Sequence, residues 1–235
     1  SISFILSIIK KYFFLRINIK TMIVERFNKI KSIIDKLVPK KSVNIVAISK
    51  TFKLEYIKPL IDYGHKHFGE NKVQEAKAKW SELKKSNRDL NLHMVGKLQS
   101  NKAKNAVELF DYIHSLDNQR LADVLSKSQK NLNKSLKYFI QVNIGNELQK
   151  SGIHLKELES FYNYCSKEQD LNVLGLMVIP PNDDNTKKYF ETMQELNNSL
   201  GLKELSMGMS SDYIEAINYS STFVRIGSSI FGSRT

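Results

Sequence analysis

From residue 43 onward, short apolar runs alternate with longer stretches whose apolar residues recur at helical spacing, and polar or glycine-containing loops lie between them. The runs fall at 43–48, 65–68, 92–95, 112–114, 138–142, 173–178, 204–207 and 223–226. Strands that alternate with helices in this way predict βα units and a parallel sheet. Eight such units fit a closed (β/α)8 TIM barrel, which needs about 200–250 residues. An open doubly wound sheet is the competing architecture, but no G-x-G-x-x-G follows the first strand. The helical stretches share apolar faces. Val73, Ala76, Trp80 and Leu83 form one, Leu121, Val124 and Leu125 a second with Asp117 as its cap, Leu155, Leu158 and Tyr162 a third, and Tyr189, Met193 and Leu196 a fourth. Pro59 is tolerable if its helix begins close before it. A leading N-terminal helix over 24–37 precedes the first strand.

Residues 1–21 are apolar and basic with no acid, and the run is broken by Lys10 and Lys11. The uninterrupted segment is too short for a membrane span and lacks the charge order and cleavage site of a signal peptide. An acid-poor transit peptide is one reading. The preferred one is an extension outside the fold, with translation starting at Met22 and the barrel domain covering 22–235.

Composition narrows the function classes. Hydrophobic residues make up 41% of the chain, enough for a large core. The net charge of +12 is spread along the chain without an arginine-rich run or a basic–aromatic repeat, so it reads as solvated helix faces. Neither a nucleic-acid nor a membrane partner is expected. The single cysteine, Cys165, permits no internal disulfide and points to a reducing, cytoplasmic location. The histidines offer no identifiable complete ligand set, so no metal is expected.

In a barrel of this kind the chemistry collects where the strands end. Lys50 ends the most strand-like run, VNIVAIS. An amine partly withdrawn from water there loses some of its proton affinity and can attack a carbonyl, although many strand-end lysines only snorkel to solvent. The loops after the seventh and eighth runs carry Ser206, Gly208, Met209 and Ser210, and Arg225, Gly227 and Ser228. Glycine lets backbone amides approach a phosphate, and serine adds donors. A Schiff-base lysine with a phosphate site fits either an aldolase-like enzyme or a pyridoxal 5′-phosphate (PLP) protein.

Seven segments separate these possibilities: VAISKTF around Lys50, FGENKVQEA at 68–76, GKLQSNK at 96–102, QVNIGNELQKSGI at 141–153, GLMVIPP at 175–181, LSMGMSSDYIEAI at 205–217 and STFVRIGSSIFGSR at 221–234. In this order they resemble the PLP-binding homeostasis proteins, single-domain relatives of the alanine racemase barrel (PLP fold type III). The resemblance implies that Lys50 forms the internal aldimine and that Arg225 faces the pyridine nitrogen. It implies that Gly227 and Ser228 hold the phosphate together with Ser206 and Ser210, and that Asn71 and Met209 lie beside the cofactor. An arginine there disfavours protonation of the ring nitrogen and makes the ring a weaker electron sink. The implied role is intracellular PLP homeostasis without robust catalysis, with PLP-dependent apoenzymes as possible recipients and a monomer expected. The alternative is an amino-acid racemase, but the racemases it resembles use a second domain, and none is expected after Thr235. One departure stands out: Ser220 occupies a position where the family usually has glycine.

Overall fold

The computed structural model describes residues 2–147, 149 and 151–233, with side chains described from Lys20 onward. The chain runs α1 (Ile2–Leu37), β1 (Asn44–Ile48), α2 (Leu54–Asp62), β2 (His67–Glu70), α3 (Val73–Ser86), β3 (Asn91–Met94), α4 (Ala103–Leu109), β4 (Tyr112–Leu116), α5 (Gln119–Asn131), β5 (Lys137–Gln141), α6 (Leu158–Asn163), β6 (Asn172–Met177), α7 (Thr186–Ser199), β7 (Glu204–Ser206), α8 (Tyr213–Asn218), β8 (Phe223–Ile226) and α9 (Ser228–Phe231). Among the described residues the eight strands pair in sequence order, all parallel, and β8 closes on β1 through Asn44↔Phe223 to Ala47↔Ile226. This is the expected (β/α)8 barrel.

Strand side chains alternate between two surroundings. Ile45, Ala47, Phe68, Leu92, Ile113, Ile140, Leu176, Leu205 and Val224 face outward into one large core shared with the helices. Val46, Tyr112, Phe139, Met177 and Phe223 face inward and form a separate cluster that plugs the barrel. Histidines join this plug. The ring of His93 stacks on Tyr112 at 4.1 Å and that of His114 on Phe139 at 4.4 Å. Burial, followed by neighbouring positive or ionisable groups, holds both well below the usual histidine range. Burial also lowers His65, at the foot of β2, to about 4.

Some local expectations need correcting. The cap of α5 is Asn118, whose Oδ1 accepts from the Leu121 amide at 2.9 Å. Asp117 instead accepts from the Gly152 amide. Around α6, Leu155 in the turn before it is exposed, while Leu158 and Phe161 within it and Cys165 just after it turn inward. Burial, then Asp123, pushes the Cys165 thiol up to about 12, as befits a packing residue. In α7 the buried positions are Phe190, Met193 and Asn197; Asn197 is tolerated because it accepts from the Leu176 amide and donates to the Leu202 carbonyl. The second strand starts at His67 rather than His65. Pro59 lies in the second turn of α2 rather than the first. The leading helix extends over Ile2–Leu37 and buries Ile23, Phe27, Ile30 and Ile34. The expectation that residues 1–21 stand apart from the barrel falls mostly outside the described side chains.

Glycine is required by geometry at two points near β6 and β7. A Cβ on Gly175 would lie 1.7 Å from the Glu204 carbonyl oxygen, so only glycine lets β6 approach β7 there. Gly208 turns at φ +92. Ser220 explains the departure noted above. It sits at φ +66, a conformation that favours glycine, and its hydroxyl accepts from Gln194 Nε2 at 2.7 Å. Ser220→Gly is therefore expected to raise stability by up to about 1 kcal/mol, read from the midpoint of urea unfolding. The histidines predict acid sensitivity. Their folded-state pKa values lie below the ordinary 6.5 of an unfolded chain, so on acidification the unfolded chain binds protons first. Stability should hold above pH 6.5 and fall below it, by about 1.4 kcal/mol per pH unit for each buried histidine until its folded value is reached. Urea unfolding at pH 7.5 and 5.5 reads this directly, and unchanged stability would refute it.

Candidate functional site

The C-terminal ends of the strands surround a cavity of ≈ 860 Å³, within the range of small-molecule and cofactor sites. Lys50, Asn71, Met209, Ser210, Arg225, Gly227 and Ser228 all line it. Ser206 lies one layer deeper, fully buried, and reaches the cavity only through Arg225.

Arg225 forms the floor. Alternation along β8 points it inward above Phe223, and it is 4% exposed. Its Nη1 donates to the Ser206 carbonyl and hydroxyl, both at 2.7 Å, and its Nη2 donates to the Val178 carbonyl at 2.8 Å. These bonds occupy three of the five guanidinium donors and leave two without a partner among the described residues. Burial lowers its pKa to about 10, so it stays charged at neutral pH.

Lys50 follows β1, whose inward positions are Val46 and Ile48. The next residue outward, Ser49, is anchored by its hydroxyl to Glu70 Oε1 at 2.7 Å, and its amide continues the ladder to the Gly69 carbonyl. Glu70 Oε1 also accepts from Trp80 Nε1 and Lys79 Nζ, each at 2.9 Å. Lys79 donates further to the Ser49 carbonyl at 2.9 Å and to Glu75 at 3.2 Å. One buried carboxylate thus ties β1, β2 and α3 together directly beneath Lys50. Thr51 then turns at φ +69, uncommon for a β-branched residue, and its amide is held by Glu75 Oε1 at 2.5 Å. The backbone on both sides of Lys50 is therefore fixed.

The adjoining wall, beside β1, belongs to the last two loops. Gly227 stands at the start of α9, and the Ser210 hydroxyl accepts from the Ser229 amide at 3.4 Å, joining the two loops. Met209 is steadied by its amide donating to Asp212 at 2.6 Å. Gly96 is needed because a Cβ there would lie 2.3 Å from the Asn71 carbonyl oxygen; this close approach sets Asn71 on the wall.

Several features escaped the sequence reading. Gln141 and Glu147 also line the cavity, beside Lys97 and Asn143, which follow the third and fifth apolar runs. Gln141 and Asn143 follow the inward face of β5 at period two, a signal usable once the register was known. The Glu70–Lys79–Trp80 anchor joins a strand end to positions nine and ten residues on, which no local pattern reveals.

A strand-end lysine fixed from behind, a buried guanidinium with two remaining donors and a serine–glycine loop pair define a barrel equipped for an anionic carbonyl ligand. The family model described as alanine racemase, N-terminal domain, matches residues 27–235. A pyridoxal phosphate homeostasis protein of Aquifex aeolicus is 38% identical over 199 residues, covering 81% of this chain and 86% of that protein. The structure of PipY from Synechococcus elongatus with PLP bound is 38% identical with a TM-score of 0.78, covering 89% of this chain and all of that one. Alanine racemase from Acinetobacter baumannii shares the fold at 14% identity and a TM-score of 0.69, covering 92% of this chain and 62% of that one. The chain belongs to the family of the alanine racemase N-terminal domain, alongside the pyridoxal phosphate homeostasis proteins.

The anchor beneath Lys50 yields a test. The Glu70 side chain is 0% and that of Lys79 9% exposed. Glu70→Ala would leave Lys79 without its main counter-charge in the core and should cost about 3–5 kcal/mol. The double replacement Glu70→Leu with Lys79→Met should recover much of that loss. Equal unfolding midpoints for Glu70→Ala and the native chain would refute the anchor.

Proposed function

We propose that this protein binds PLP in the mouth of its barrel and holds it reversibly as part of intracellular PLP homeostasis. The observation that carries the reading is that Lys50 and the buried Arg225, on adjacent strands, line one cavity. PLP, when bound, supplies an electrophilic aldehyde and an electron-accepting ring.

The residues present suit that group. The Lys50 amine would hold it as a Schiff base. Two remaining donors of Arg225 suit a ring nitrogen that accepts a hydrogen bond, and a fixed positive charge disfavours protonation of that nitrogen. Gly227 and Ser228, with Ser210, offer amide and hydroxyl donors to the phosphate. Asn71 and Met209 would border the ring, and Ser206 supports it through Arg225. A ring kept unprotonated stabilises carbanions weakly, which supports holding and release over transamination. The name shared by the similar proteins and the PLP bound in PipY support the same role. Recipients would be PLP-dependent apoenzymes, and the protein would act as a monomer in the cytoplasm, where Cys165 stays reduced. No helix among the described residues is long and apolar enough to cross a membrane.

The test is absorbance of the purified chain mixed with PLP, before and after borohydride, beside Lys50→Ala. A reducible band with the pyridoxyl group mapped to Lys50 is expected, and it should be lost in Lys50→Ala. An equal band in that variant would overturn the assignment. Arg225→Leu should weaken PLP binding by at least about tenfold, since it removes a charge-assisted hydrogen bond, measured by titration at 25 °C.

A further inference from the structure

The barrel plug contains three imidazoles in a row that the proposed site does not use. His67 Nδ1 lies 2.9 Å from His93 Nε2, His93 Nδ1 lies 2.8 Å from His114 Nε2, and His114 Nδ1 lies 2.8 Å from Ser206 Oγ. Ser206 Oγ is in turn 2.7 Å from Arg225 Nη1. The row starts at the foot of β2, where His67 is partly exposed, crosses β3 and β4, and ends under the cavity floor. His93, His114 and Ser206 are each 0% exposed.

Elementary valence gives the row a direction. Arg225 can only donate, so Ser206 Oγ accepts from it and keeps one proton to give. His114 Nδ1 is the acceptor within reach, which places the proton of His114 on Nε2. That proton points at His93 Nδ1, so His93 also carries its proton on Nε2 and gives it to His67 Nδ1. Run in the opposite sense, Ser206 would receive two donors and its own proton would meet no acceptor among the described residues, at a cost of roughly 1–3 kcal/mol. Every ring in the row is then neutral, which agrees with their depressed proton affinity. Burial is the chief cause at all three, and Arg225 adds to it at His114. The charged and titratable groups facing the row are His65 at the foot of β2, Lys137 on β5 and Asp111 before β4 at the base, and Arg225 at the top.

We propose that His67, His93 and His114 form a one-way hydrogen-bonded chain through the barrel that acts as a positioning set for Arg225. The chain fixes the Ser206 hydroxyl with its lone pairs toward the guanidinium, and so holds Arg225 in place on the cavity lining. This deepens the PLP reading and rests on it for the ligand, but the chain itself exists without one.

The experiment uses the full chain with 15N-labelled histidine and arginine, first without PLP at pH 7.5. Long-range proton–nitrogen spectra should show His67, His93 and His114 as neutral rings protonated on Nε2, and a slowly exchanging, ordered Arg225 guanidinium. A proton on Nδ1 of His93 or His114, or a charged ring at either, overturns the proposal. Two replacements of His93 then separate positioning from packing. His93→Asn keeps an oxygen near the place of Nδ1 to receive the His114 proton, whereas His93→Phe fills the space and receives nothing. Positioning predicts that His93→Phe mixes the His114 tautomers, broadens the Arg225 signals and weakens PLP binding about tenfold, and that His93→Asn recovers most of each. A packing role predicts the reverse order, and that result overturns the proposal. Should the native chain bind no PLP, the PLP reading fails alone, because the tautomers and the Arg225 signals still decide for or against the chain. Should His93→Phe not fold, the native spectrum and His93→Asn carry the same decision.

Discussion

A full positive charge buried at the barrel floor is the constraint around which the upper half of the structure is arranged. The guanidinium of Arg225 is 4% exposed, and such a charge is tolerated only when its donors are met. The described partners are neutral oxygens: two from Ser206 at the end of β7 and one from Val178 just beyond β6. Arg225 therefore ties the last three strands together where their loops must converge. Its hydrogen bonds go to neutral acceptors, and the carboxylate that acts on it, Asp212, does so through space. The same contact that secures the strands thus sets the polarity of the mouth.

The adjoining side of the mouth, at β1 and β2, is held by a different device. Glu70 gathers Ser49, Lys79 and Trp80 onto one oxygen, and Glu75 holds the Thr51 amide. Lys50 lies between these two attachments, preceded by a regular strand and followed by a left-handed residue. Strain of this kind persists only where the surroundings over-determine it, and here two carboxylates on or beside α3 do so.

Much of this was legible in the sequence. The alternation of apolar runs with helical stretches gave the barrel, because a strand buried on both faces and an amphipathic helix leave different periods. The residues ending the runs gave the cavity wall from Lys50 to Ser228, because barrel topology brings strand ends together. Errors arose where a local choice depends on a partner distant in the chain. Asn118 rather than Asp117 caps α5, since Asp117 is drawn to Gly152. Asn197 is buried in α7, since it serves the backbone of β6 and the loop before β7. The histidines at 67, 93 and 114 were weighed as metal ligands and set aside, and their actual association runs across three neighbouring strands to a fourth, a relation that spacing along the chain does not encode. Ser220 showed the opposite case: a departure visible in the sequence acquired a physical meaning only from its backbone angle.

The Glu70 anchor also bears on chemical selectivity. Two lysine amines lie near the end of β1, and an aldehyde entering the mouth could in principle react with either. Lys79 is clasped by Glu70 and Glu75 and by the Ser49 carbonyl, nine-tenths removed from solvent. A clasped ammonium has no lone pair to offer and no room to turn. The fold thus screens this amine from electrophiles by giving it counter-ions, so that its chemistry is set by charge as much as by distance.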